Sequence, residues 1–298
     1  MSHYTYQVFE TVAEELNFAR AAERLNLTPS AVSHAIAKLE AEFGFPLFIR
    51  NRSGVVLTTN GSDLLPYIRE HLQADDRLRQ EVDQINGLAK GALTIGAFES
   101  VTIHWFPTII REFRRQYPGI SVELIQENSA VLPARIKSRK VNLALISHME
   151  KEPFPYPTTP LYRDRVICIT PAGYTPPHRT YMTLEDIRSF PILMPPIQDD
   201  VDINWFLKRN GLTPCPDFRI ASDHTLFALI SQGLGISLFA ELIARGCPHN
   251  VRAYPVFPPA YRIVSLYASH PLSPAGKKML NAIRNFLKRD EWRDNCLM

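Results

Sequence analysis

The stretch Asn17-Phe18-Ala19-Arg20-Ala21-Ala22-Glu23-Arg24-Leu25-Asn26-Leu27-Thr28-Pro29-Ser30-Ala31-Val32-Ser33-His34-Ala35-Ile36 contains two helix starts separated by one break. Asn17 is a good N-cap, and Phe18, Ala21, Ala22 and Leu25 recur on one helical face. Asn26 and Leu27 interrupt that period. Thr28-Pro29 restarts it, with a hydroxyl at the cap and a proline at the first helical position, where no N–H is needed. Val32, Ile36, Leu39 and Phe43 then follow at steps of four, three and four, and Gly44 supplies a positive-φ stop. The small pair Ala21-Ala22 lets two helices approach closely. The layout predicts a helix-turn-helix, with Ser30, Ser33, His34, Ala37 and Lys38 on the outer face of its second helix.

Upstream, Tyr6, Phe9, Val12, Ala13 and Leu16 mark a first helix. Downstream, residues 46–50 and 54–57 read as two short strands. The loop Asn51-Arg52-Ser53 between them is basic and polar, which suits a wing against phosphate or the minor groove. Periodicity alone leaves two readings open, a DNA-reading unit or a small helical interaction module.

Bulk properties bound the rest. A chain of 298 residues, 45% hydrophobic and 21% charged, has room for two domains. It has no apolar run long enough to span a membrane and no secretory leader, so a cytoplasmic protein is expected. Cys168, Cys215, Cys247 and Cys296 form no CxxC pair, so no metal site or cofactor is expected. They read as four unrelated thiols, or as a redox pair such as Cys215 with Cys247. Net charge is +3 overall, but −3 over residues 1–90 and +6 beyond. A DNA-binding head of net −3 is acceptable only if its acids face elsewhere. Between residues 16 and 60 the cations Arg20, Arg24, Lys38, Arg50 and Arg52 outnumber Glu23, Glu40 and Glu42.

The stretch from Asn17 to Leu25, the run Leu27-Thr28-Pro29-Ser30-Ala31-Val32-Ser33 with Ile36 and Leu39-Glu40, and then Leu47-Phe48, Arg50, Val56-Leu57-Thr58 and Gly61 resemble LysR-type transcriptional regulators. The resemblance implies a winged helix-turn-helix that contacts DNA through Ser30, Ser33, Lys38, Arg50 and Arg52. Together with Thr28 and His34 these form the candidate DNA-binding set. The family often has arginine at position 34 and glutamine at 35, where this chain has His34 and Ala35. A bidentate base contact is therefore missing, and DNA shape is expected to contribute more to recognition.

Residues 62–88 read as one long helix with two apolar stripes, Leu65-Ile68-Leu72 and Leu78-Val82-Ile85, broken by Asp75-Asp76. The helix is too apolar to stand alone. It pairs with a second copy, as in the family, or packs on its own C-terminal domain. Beyond it, strands at 92–97, 120–126 and 141–146 alternate with helices at 101–117 and 131–139. A second set has strands at 165–169, 191–194, 218–221 and 236–239, helices at 199–209 and 225–232, and a final helix at 273–288. This predicts an α/β domain with a largely parallel sheet. It resembles the family's effector domain, a periplasmic-binding-protein-like fold of two subdomains joined by crossings near 160–162 and 268–269.

The expected division is residues 1–60 for the winged domain, 61–89 for the linker helix and 90–298 for the effector domain. Within the last, 90–161 and 268–298 form subdomain I and 162–267 subdomain II. Ligands of such sheets sit at strand carboxyl ends against helix N-termini, which nominates Ser100, Thr102, Asn128, Ser129, Ile197, Gln198, His224 and Thr225. Ser100, Asn128 and Asp223 read equally as helix caps, and His104 as a packed helix residue. Glu99 and Asp199-Asp200 would repel a simple carboxylate or recognise an amine.

No GxSxG, HExxH or GxxxxGK[ST] motif occurs, which argues against an enzyme. An exported solute-binding protein would lack the N-terminal motif. The partners expected are promoter duplex DNA, a small-molecule effector and RNA polymerase, with the chain a homodimer or homotetramer.

Overall fold

The computed structural model describes residues 3–51, 54–85, 90–138, 140–194, 201–218, 220, 222–247, 249–268 and 272–289. They form two compact units, 1–88 and 89–298.

The first unit opens with α1 (His3–Glu15), α2 (Phe18–Leu25) and α3 (Pro29–Phe43). Asn17 Oδ1 accepts the Ala19 and Arg20 N–H groups, and Thr28 Oγ1 accepts that of Ala31. Asn26 turns left-handed at φ 54°, and Gly44 at φ 79° ends α3. Val8, Phe9, Val12, Ala21, Ala22 and Ile36 fill the core. Strands β1 (Phe48–Asn51) and β2 (Gly54–Leu57) pair antiparallel across a two-residue tip. Glu40 Oε1 on α3 accepts the Leu47 and Phe48 N–H groups at 2.7 and 3.1 Å, which fixes the base of the hairpin to the helix.

The long helix is α4 (Thr59–Ile85). Thr58 caps it by accepting the Gly61 N–H at 2.9 Å, while its own hydroxyl donates to the Pro46 carbonyl. Gly61 has to be glycine: a Cβ there would lie 2.3 Å from the Leu47 carbonyl oxygen. Ile68 and Leu72 are spent on the core of this unit. Leu78, Val82 and Ile85 remain exposed.

The second unit is built on one eight-stranded sheet. Its first part contains β3 (Gly91–Ala97), α5 (Glu99–His104), α6 (Phe106–Gln116), β4 (Ile120–Gln126), α7 (Leu132–Lys137) and β5 (Leu143–Met149). β3 is parallel to both β4 and β5. The single helix expected over 101–117 is two: the chain bends at Trp105, and Pro107 starts α6 in the first turn, where its missing N–H costs nothing.

Then come β6 (Thr159–Pro171), β7 (Met182–Thr183), α8 (Leu184–Arg188), α9 (Val201–Arg209), α10 (Asp223–Ser231), β8 (Ser237–Ala240), α11 (Glu241–Ala244), β9 (Val251–Phe257), β10 (Tyr261–Ala268) and α12 (Pro274–Leu287). β6 is itself the first crossing. It pairs with β10 up to Arg165, and with β8 and β9 from Val166 and Ile167 onward.

Three expectations need correction. The return crossing lies at 258–260 rather than 268–269, because β10 pairs with β5 through its whole second half and so belongs to subdomain I. The second half of the sheet is mixed rather than parallel: β6 runs antiparallel to β8, β9 and β10. Phe218 and Ile220 are in no strand, and of 191–194 only Ile192 makes a bridge, to Ile236. Among the described residues no helix is long and apolar enough to cross a membrane.

Candidate nucleic-acid interface and effector cleft

On α3, Ser30, His34, Ala37 and Lys38 are exposed and Ser33 is half-buried, on the side away from Val32, Ile36 and Leu39. Thr28 caps the helix and shares a 3.0 Å hydrogen bond with Ser30 Oγ. Ala35 is buried in the core of the unit, so a longer residue there would not simply extend into a groove. The missing glutamine is thus no lost base contact; His34 alone marks the departure. Arg50 lies in β1 by its backbone, and Arg52 falls outside the described residues.

The acidic excess of this unit is turned inward. Glu14 and Glu15 take Arg24 at 2.9 and 3.1 Å, and Glu10 takes Arg69 of α4 at 3.1 Å. These pairs tie α1 to α2 and to α4, and leave the outer side of α3 to hydroxyls, an imidazole and Lys38.

In the second unit the expected cleft residues divide. Ser100 is buried, and its Oγ accepts from Arg262 Nη2 at 3.0 Å. Thr102 donates to the Phe98 carbonyl and lines an open groove with Phe106, Ile110 and Leu124. Asn128 Oδ1 accepts the Ala130 N–H. Ser129 Oγ accepts the Ser147 N–H at 2.6 Å. His224 and Thr225 are exposed in the first turn of α10, where Ser222 Oγ accepts the Thr225 N–H, and the His224 ring lies 5.8 Å from that of His249. Ile197 and Gln198, with Asp199-Asp200, lie outside the described residues.

Residues not nominated from sequence hold this region together. Asp164 of β6 is 0% exposed and Arg262 of β10 only 4%. Arg262 Nε donates to Asp164 Oδ2 at 2.9 Å, and the Leu242 N–H of α11 donates to Asp164 Oδ1 at 3.1 Å. Burial raises the Asp164 carboxyl above its ordinary range, and the Arg262 charge draws it back. Ser147 of β5 donates to Asp202 in the first turn of α9, so Ser129, Ser147 and Asp202 form one relay from subdomain I to subdomain II. Burial raises Asp202 as well, against the pull of Arg262. Burial, followed by repulsion from Glu99, pushes Asp223 up to about 6. The first turns of α5, α9 and α10 therefore all feel Arg262. Leu242 inserts beside Trp105 and Phe106 in the core of subdomain I, and burial lowers the His104 imidazole, which also bonds the Leu242 backbone.

Among the described residues no cluster could hold a metal ion, and Cys168, Cys215 and Cys247 are free thiols.

The geometry agrees with what the chain is similar to. Residues 4–62 match the bacterial regulatory helix-turn-helix family of LysR type, and residues 86–290 match the LysR substrate-binding domain. The chain belongs to the LysR family of transcriptional regulators: it is a DNA-binding regulator with an effector-binding domain, and not an enzyme. It is 28% identical to the HTH-type transcriptional regulator XapR of Escherichia coli, over 92% of this chain and 95% of that protein. To YvbU of Bacillus subtilis, an uncharacterized HTH-type transcriptional regulator, it is 27% identical over 87% of this chain and 89% of the relative. Among solved structures, a full-length OxyR variant from Pseudomonas aeruginosa superimposes with TM-score 0.76 at 20% identity, covering 99% of this chain and 97% of the other. Full-length CbnR with its target DNA gives 0.60 at 18%, covering 96% and 100%. At that identity both speak for the fold alone.

Proposed function

We propose that this chain is a cytoplasmic, effector-gated regulator that grips promoter duplex DNA with Thr28, Ser30, Ser33, His34 and Lys38 on α3, and with Arg50 and Arg52 in the wing. The observation that carries this reading is the outer side of α3, exposed and cleared of carboxylates by ion pairing within α1, α2 and α4. Hydroxyls and one lysine there fix register on phosphate, and His34 is the candidate for a base edge.

The same reading assigns effector binding to the cleft around Arg262, with Ser100, Thr102, Asn128, Ser129, Ile197, Gln198, His224 and Thr225 as the candidate lining. The chain acts as a homodimer or homotetramer. Effector binding favours one packing of the oligomer over another, which changes DNA bending and recruitment of RNA polymerase. A ligand shifts such an equilibrium only by its differential affinity for the two states.

The test is fluorescence anisotropy of the full-length protein on the duplex upstream of its own gene and on a scrambled duplex, at several salt concentrations. Sequence-preferring binding with a steep salt slope is expected. Absence of even non-specific duplex binding would sink the reading.

A further inference from the structure

A second cavity lies at the hinge, apart from the cleft. Its volume is about 100 Å³. Trp205 and Phe206 of α9, Pro258 and Pro259 of the return crossing, and Met149 at the end of β5 give it apolar walls. Two cations stand at its edge, Lys151 and Arg209, both exposed. The one carboxylate in the lining, Glu150, is already held by Arg163 at 2.6 and 2.9 Å, and Arg163 stacks 3.5 Å over the Tyr261 ring. Lys151 and Arg209 form no ion pair among the described residues; Arg209 sits 5.3 Å over the Trp205 indole. The pocket is therefore apolar within and carries surplus positive charge at its mouth.

We infer that this hinge pocket is a second small-molecule site, and that it takes a small aromatic carboxylate. The volume suits one ring: a dry apolar cavity of roughly 150 Å³ holds benzene. The indole and phenyl faces favour a flat apolar body, and the guanidinium edge presents parallel N–H donors that match a carboxylate. A neutral ring would leave both cations unsatisfied, and an aliphatic cation would be repelled.

The position gives occupancy a consequence. Both crossings line the pocket, and they are bonded to each other where the Glu150 N–H donates to the Tyr261 carbonyl at 2.9 Å and the Val166 N–H to the Ala260 carbonyl at 2.9 Å. The third wall, α9, carries Asp202 at its other end, roughly 11 Å away at 1.5 Å per residue, on the relay to Ser147. A ligand wedged between α9 and the crossings pushes on the helix that bridges the cleft.

The experiment uses full-length protein carrying 5-fluorotryptophan, with the Trp205 fluorine resonance assigned from Trp205→Phe, and benzoate as the probe. Benzoate in the millimolar range is expected to shift the Trp205 resonance to saturation, with benzamide at least tenfold weaker. The variant Lys151→Ala/Arg209→Ala removes only exposed side chains. It should weaken benzoate at least tenfold, while thermal melting and duplex binding stay as in the parent. A Trp205 resonance that does not move, or benzoate binding equally well to the double variant and the parent, would overturn the assignment.

Discussion

Asp164 and Arg262 are direct cross-strand partners of β6 and β10, and their side chains meet at 2.8–2.9 Å with neither exposed to solvent. The two strands are the ones that enter or leave a crossing, so the ion pair sits at the root of the hinge. Its remaining valences go to α5 through Ser100 and to α11 through the Leu242 N–H. One buried charge pair thus holds both subdomains in register. Such a pair adds little net stability over an apolar replacement, but breaking it strands a charge.

Arg262→Met keeps the volume and leaves Asp164 buried without its counter-charge. It should destabilise the effector unit by about 3–5 kcal/mol, measured by urea unfolding followed through tryptophan fluorescence. Asp164→Asn/Arg262→Met removes both charges and should recover much of that loss. If the double variant is as unstable as the single one, lost packing rather than the stranded carboxylate is the cause.

Asp223 titrates in a different sense. Its folded carboxyl, at about 6, lies above its ordinary 3.8 because burial and Glu99 of α5 outweigh Arg262 of β10 and His224 of α10. The folded state therefore binds a proton more readily than the unfolded one. Stability is highest below the unfolded value and falls as pH rises from about 4 to about 6, after which the loss is constant. Asp223→Asn should flatten that slope and raise stability at neutral pH by roughly 1–2 kcal/mol, one unit being 1.36 kcal/mol before screening by partial exposure. The check is thermal melting across that pH range; an unchanged slope would show that another group titrates there.

The N-terminal unit was readable because each boundary carries its own chemistry: Asn17, Thr28-Pro29 and Gly44 cap or stop helices regardless of what packs on them. β9 and β10 were not. Pro255, Pro258 and Pro259 read as breakers, yet Pro255 sits within β9 opposite Ile167, where tertiary pairing overrides the local signal. The cleft behaved similarly. Ser100 and Asn128 announce themselves as cap-type residues beside strand ends. Asp164 and Arg262 lie 98 residues apart, and Ser147 and Asp202 lie 55 apart. Nothing periodic links such pairs, and only the order of strands brings them together.

At the DNA face, His34→Arg is the informative change. Position 34 is exposed on α3, whereas position 35 faces the core. An arginine at 34 can make the two-donor contact to guanine that histidine cannot, worth about 1–3 kcal/mol of discrimination. Binding to a panel of duplexes with single base changes should show a new guanine preference at one position, with the salt slope raised by about one. A uniform gain across the panel would place residue 34 on phosphate instead.

The exposed stripe of α4 leads to the last prediction. Ile68 and Leu72 are consumed by the core of the N-terminal unit, but Leu78 is 62% and Ile85 83% exposed, with Val82 between them at the four-then-three spacing of a helix-pairing seam. Isolated exposed leucines need no explanation, whereas three on one stripe of a helix are costly to leave in water. Burying each against a second copy contributes about 1.5–3 kcal/mol. Leu78→Ser/Val82→Ser should therefore shift the chain toward monomer in sedimentation velocity at low micromolar concentration. The fold of the unit should be retained, since neither side chain belongs to its core. Affinity for a full operator should fall far more than affinity for a single half-site, because the second head is no longer delivered by the first. If the double variant sediments as the parent does, the assembly is held elsewhere and this stripe serves another contact.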